Sequence, residues 1–268
     1  MFFNLFTPFK YLPAPVSLNH LLFLARLSRL INTGAFEGKM KKLGLIGGTG
    51  PESTLLYYRK FVYEANKRIG DTFFPSLTIE SINVYDVLAM CGREDYEALT
   101  KYLAKAVGNL VAAGAEVVAL TGNTPHIVFN ELQSCTTVPL VSIIESTCAE
   151  VQTQGLKKVG LVGTRFTMEA DFFKRPFTEA GIQVVIPHSD EIDYIADKIH
   201  DELERGIIKP QTRDKFTAVI ERMCQDEGIE AIILGCTELP LLFVGTELPV
   251  KALDTVDIHI ETLFKALQ

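Results

Sequence analysis

The chain has few of the residues that build metal or redox sites. Its five histidines, at 20, 126, 188, 200 and 259, lack metal-ligand spacing, and no H-E-x-x-H pair occurs. Its five cysteines, at 91, 135, 148, 224 and 236, are odd in number and contain no C-x-x-C pair. That excludes a disulfide scaffold or a zinc knuckle and fits the reduced thiols of a cytoplasmic protein. No apolar run approaches the roughly 20 residues of a membrane span. No block of Lys and Arg occurs and the formal net charge is −7, so nucleic acid finds no cationic surface. The G-x-S-x-G nucleophile elbow and the P-loop are also missing. A small anionic substrate stays open, because it needs only a few local donors.

What is present is an ordinary globular composition, 47% hydrophobic and 22% charged over 268 residues, enough for a core without metals or disulfides. Residues 1–39 differ from the rest. They carry Lys10, Arg26, Arg29 and Lys39 and no acid before Glu37, as targeting segments do. The favoured reading is an N-terminal extension, disordered or not native, because Met40 directly precedes the first strand pattern.

From Lys41 onward, short apolar runs at 43–46, 77–84, 117–120, 140–143, 159–162, 184–186, 231–234 and 250–253 read as buried strands. Between them, stretches such as 96–113 and 211–227 carry apolar residues at helical spacing. This alternation implies βα units and mostly parallel sheets, with function at the carboxyl ends of the strands. The pattern also repeats. LGLIGGT at 43–49 matches VGLVGT at 159–164, and VVALTGNT at 117–124 matches IILGCT at 232–237 when aligned on the terminal Thr. VPLV at 138–141 before EST matches LPV at 248–250 before DT. The expected fold is therefore α/β, with two similar α/β domains and a ligand cleft between them. The first domain takes 41–154 plus a returning helix at 255–268, and the second takes 155–254.

Three strand-end loops carry candidate chemistry. Gly47 to Thr54, GGTGPEST, could expose backbone N–H groups to an anion. As a dinucleotide fingerprint it fails, with Ser53 at the third glycine and Pro51 inside the turn. Gly122-Asn123-Thr124-Pro125-His126 offers Asn123 and Thr124 for a carboxylate and His126 as a weaker candidate. Gly235-Cys236-Thr237-Glu238 places a thiol before a helix start, where the backbone dipole would favour thiolate. Glu238 could orient a neighbour, act as an acid or cap the helix.

Taken in order, LGLIGGTGPEST at 43–54, GNTPH at 122–126, GTRFTME at 163–169 and LGCTELP at 234–240 make residues 41–268 resemble the aspartate/glutamate racemase family. The resemblance implies racemisation of an acidic amino acid, or binding of a related dicarboxylate, without pyridoxal phosphate or any other cofactor. Two cysteines would stand on opposite faces of the substrate Cα, since inversion needs delivery opposite abstraction. Carried over, Cys236 is the second-half catalytic thiol. Asn123, Thr124, Thr164 and Thr237 hold carboxylates, with help from the Gly48 and Thr49 backbone. A homodimer is the family expectation. The first-half cysteine position holds Gly122. Three readings follow: a directional racemase with water, Thr121 or His126 standing in; a one-base member doing exchange, elimination or isomerisation; or a silent binder of acidic ligands.

Overall fold

The computed structural model describes residues 40–268, which form one compact unit; the reading of residues 1–39 as an extension falls outside the described residues. β1 (Leu43–Gly47) leads through α1 (Pro51–Ile69) to β2 (Leu77–Ser81), α2 (Val84–Gly92), α3 (Tyr96–Ala112) and β3 (Val117–Leu120). A 3-10 turn (Thr124–Val128), α4 (Phe129–Ser134), β4 (Leu140–Val141) and α5 (Ile143–Thr153) complete the first half. The second half runs β5 (Lys158–Val162), α6 (Arg165–Glu169), α7 (Asp171–Glu179), β6 (Gln183–Val185), α8 (Ser189–Asp201), α9 (Pro210–Arg222), β7 (Ala231–Leu234), α10 (Leu239–Leu242) and β8 (Lys251–Asp254). Helix α11 (Thr255–Ala266) ends the chain. Each half holds a four-stranded sheet, ordered β2-β1-β3-β4 and β6-β5-β7-β8, and every pairing is parallel. The sequence repeat is thus a repeat of topology.

Alternation along the strands builds two core layers. Leu43, Leu45, Val117 and Ala119 pack with Tyr57, Phe61 and Ile143, in a cluster that continues into Val159, Leu161 and Ile232 of the second half. Ile46, Val118 and Leu120 point the other way, toward Leu99, Leu103 and Leu110 of α3.

Two strand boundaries differ from the sequence reading, for a shared reason. The run at 77–84 stops at Ser81, because the Asn83 side chain accepts the Tyr85 N–H and starts α2. The run at 140–143 stops at Val141, because Ser142 Oγ accepts the Glu145 N–H and Ile143 is already helical. An N-cap side chain outweighs an apolar run.

Helix α11 packs back on the first half. Phe61 and Phe264 stack at 4.8 Å, and the Lys41 N–H donates to Leu267 O at 2.9 Å. Two buried imidazoles fix the corner between β4 and α5. His259 Nε2 donates to Val141 O at 3.0 Å while its Nδ1 accepts from Tyr57 Oη at 2.7 Å. His126 Nδ1 donates to Gly122 O at 2.9 Å while its Nε2 accepts the Ile143 N–H at 3.3 Å. Each ring is therefore neutral with a fixed tautomer. Burial lowers His126 to about 4 and His259 to about 3 from an ordinary 6.5.

That has a consequence for acid stability. Between pH 6.5 and the folded values, the unfolded chain binds protons that the folded chain refuses, so stability falls as pH falls. At pH 5 each imidazole costs about 2 kcal/mol relative to neutral pH. We expect the melting temperature to drop by roughly 10 °C from pH 7 to pH 5, and His259→Gln to flatten that slope. An unchanged slope in the variant would remove His259 from the account.

Candidate active site

In both sheets the strand order reverses between the two central strands, β1 and β3 in one and β5 and β7 in the other. Loops part at such a point and leave room for a ligand. The two sets of loops also touch. Asn123 Nδ2 donates to Gly235 O at 2.8 Å, and a Cβ built on Gly50 would lie 3.1 Å from Glu238 Oε1. Gly48, Thr49, Asn123, Thr124, Cys236 and Glu238 are thereby gathered where the halves meet.

Cys236 lies two residues beyond β7, is buried, and its Sγ donates to Glu238 Oε2 at 3.0 Å. Thr237 Oγ1 donates to the same oxygen at 3.0 Å. The expectation of a favoured thiolate is overturned. Burial first, then the Glu238 carboxylate, push the thiol well above its ordinary value, and Glu204 adds to this. The following helix, α10, has only four residues and cannot offset a carboxylate in contact with the sulfur. The resting site is a thiol paired with a carboxylate. Glu238 does not cap the helix through its side chain; it accepts the Cys236 S–H.

Asn123 differs from its expected role as a carboxylate holder. Its Nδ2 is committed to Gly235 O, while its buried Oδ1 has no partner among the described residues. An unmet buried acceptor calls for a donor such as an ammonium. Gly48 is corrected too, because its N–H is spent on Thr54 Oγ1 at 2.9 Å. Glycine is needed there for shape: φ is +82°, and a Cβ would fall 2.1 Å from Ile82 O. Thr164 caps α6, accepting the Thr167 N–H at 3.3 Å and sharing a hydrogen bond with Thr167 Oγ1. The Thr237 hydroxyl already serves Glu238. The Thr124 hydroxyl remains uncommitted among the described residues.

The proposed stand-ins for the first-half cysteine fare differently. His126 has both nitrogens bound to backbone and offers neither to a ligand. Thr121 is fully buried, donating to Ile46 O at 3.1 Å and sitting 3.2 Å from Thr49 Oγ1. Neither can reach a substrate directly, so of the three only water remains.

Glu204, beside Glu238 and Cys236 electrostatically, was missed. It lies in a short 3-10 turn, Leu203–Arg205, with no motif to mark it. Ser53 and Thr54 brace the loops from within: Ser53 Oγ donates to Thr121 O, and Thr54 Oγ1 accepts the Gly48 N–H. A groove of about 620 Å³ on the outer side of α1 and α11, lined by Lys60, Lys67, Asp257 and Glu261 among others, includes none of these residues. Among the described residues no group of His, Cys, Asp and Glu could hold a metal ion, and no helix is long and apolar enough to cross a membrane.

Comparison with known proteins shows the fold and the family. The chain is 24% identical over 215 residues to the broad specificity amino-acid racemase RacX of Bacillus subtilis, covering 78% of this chain and 91% of that protein. The solved structure of an aspartate racemase homologue from Pyrococcus horikoshii superposes with a TM-score of 0.76 at 40% identity, over 85% of this chain and all of the other. Picrophilus torridus aspartate racemase shares the fold, with a TM-score of 0.71 at 21% identity over 85% and 94% of the two chains. The model of the Asp/Glu/Hydantoin racemase family matches residues 46–263. This chain therefore belongs to the Asp/Glu/Hydantoin racemase family, a family of isomerases.

Proposed function

We propose that this chain is an amino-acid racemase acting on acidic amino acids without a cofactor, in the cleft between a domain of 41–154 with 255–268 and a domain of 155–254. The carrying observation is the Cys236–Glu238 pair, with sulfur and carboxylate 3.0 Å apart at a strand end. Glu238 takes the thiol proton, the thiolate removes the substrate α-proton, and the electron pair passes into the α-carboxylate as an enediolate. The uncommitted donor at Thr124 suits that carboxylate, and Asn123 Oδ1 suits the α-ammonium. An ammonium held nearby also lowers the cost of forming a buried thiolate beside Glu238. With Thr121 and His126 engaged elsewhere, the proton for inversion comes from water. Aspartate and glutamate are the preferred substrates because relatives bear those names. Broad specificity is the second reading, favoured by the acidic surroundings that Glu204 and Glu238 give to Cys236.

The test is α-hydrogen exchange in deuterated water with both enantiomers of aspartate, glutamate, alanine and lysine. Exchange with the acidic pair alone supports the reading, exchange with all four selects broad specificity, and no exchange with any removes the racemase. Dialysed protein treated with a chelator and a carbonyl scavenger is expected to keep its rate. A loss under the scavenger would mean that pyridoxal phosphate takes part.

A further inference from the structure

The repeat of topology defines which position in the first half is equivalent to Cys236. Leu120 of β3 pairs with Ile46 of β1, and Leu234 of β7 pairs with Val162 of β5. Counting two residues past each strand puts Gly122 in the place of Cys236, one residue away from the match that the terminal Thr suggests. Gly122 is partly exposed and has no positive φ among the described residues, so the backbone does not demand glycine. A Cβ there would instead meet Thr49 Oγ1 at 2.6 Å and Thr49 Cβ at 3.0 Å. Thr49, from the loop after β1, already fills the volume of a side chain at 122.

The Thr49 hydroxyl also has a defined direction. Thr121 Oγ1 gives its hydrogen to Ile46 O, so the hydrogen between Thr49 and Thr121 belongs to Thr49. Thr49 Oγ1 therefore keeps its hydrogen for Thr121 and turns lone pairs outward. No titratable group ends this chain of hydroxyls, so it cannot be recharged with a proton.

We propose that Thr49 forms the substrate face opposite Cys236, in place of a side chain at Gly122, and makes that face poor in protons. This rests on the racemase reading and sets its stereochemical course. On the Cys236 face, Glu238 holds the proton it took from the thiol, and the thiolate takes the α-proton. Both of these protons exchange with solvent deuterium, and a deuteron returns from sulfur to the same face while Glu238 gives its own back to the thiolate. The product is the starting enantiomer labelled at Cα. Inversion waits for a water deuteron to enter past Thr49. Thr49 is a specificity-determining residue here, fixing the ratio of exchange to inversion.

The experiment follows both enantiomers of aspartate in deuterated water, by NMR for label and chiral chromatography for inversion, in the wild type, Gly122→Cys, Thr49→Ala and the double variant. In the wild type, one enantiomer is expected to exchange at least about tenfold faster than it inverts. Gly122→Cys alone should melt lower and gain no inversion. Adding Thr49→Ala should recover the melting temperature and raise inversion about tenfold or more, bringing the ratio toward one. Inversion as fast as exchange from both enantiomers in the wild type overturns the inference and leaves the racemase standing. A Gly122→Cys variant that melts like its parent and gains inversion by itself also overturns it. Absence of exchange with any amino acid removes the racemase and this inference together.

Discussion

Cys236→Ser is expected to lower α-hydrogen exchange by about 100-fold or more, the scale of a lost general base. The geometry makes the loss specific. Cys236 Sγ is the atom that hands a proton to Glu238 Oε2, and its thiol, though raised by burial and by that carboxylate, still ionises far more readily than a serine hydroxyl. Serine preserves the hydrogen bond to Glu238 and nearly the volume, so folding should be little affected. The other cysteines give the control. Cys91 and Cys148 are buried, and burial raises each thiol, but neither lies at a strand end. Serine at either place should leave exchange near the parental rate. Wild-type exchange by Cys236→Ser, measured with the substrate the parent uses best, would end the mechanism.

Much of this was readable in the chain. The strands ending at Leu120 and Leu234 follow from the apolar runs. The helical spacing at 96–113 and 211–227 marks helices that the fold holds at Tyr96–Ala112 and Pro210–Arg222, the second giving way to a wider π turn at Met223–Glu227. Cys236 stood out because a polar loop directly follows an apolar strand, and such local patterns survive folding. Features that depend on two loops meeting were hidden. The terminal Thr aligns the repeats one residue off, because GNT and GCT look alike, while Leu120 and Leu234 hold the equivalent places in their two sheets, paired with Ile46 and Val162. Whether Gly122 served the backbone or made room for Thr49 turned on a contact across 73 residues. The Cys236 thiol was expected to ionise easily, on the strength of the helix after it. In the fold, Glu238 and burial act on the sulfur at closer range and with greater effect. Glu204 could not have been found, since nothing in its neighbourhood differs from an ordinary surface helix end.

Glu238→Gln should lower exchange at neutral pH by about 100-fold, and it should do so with a signature that mere disruption lacks. The amide keeps the shape and still accepts from Thr237 Oγ1, but it cannot take up the Cys236 proton. Thiolate must then form by direct loss of that proton to solvent. Glu238 raises the thiol both by its charge and by its hydrogen bond, so removing the charge brings the thiol down relative to the parent. Burial, the largest cause, remains and keeps it above the ordinary value. The sign is therefore definite. Around neutral pH the variant's rate should climb about tenfold per pH unit, while the parent, whose proton is already held within the site, should stay nearly flat. The gap between them closes as pH rises. Glu238→Asp, which keeps the charge but draws it back from the sulfur, should recover the flat profile at a reduced rate. A Gln variant that is slow at every pH, with the parent's profile, would make Glu238 a structural partner of Thr237 and return the search for the base to Glu204.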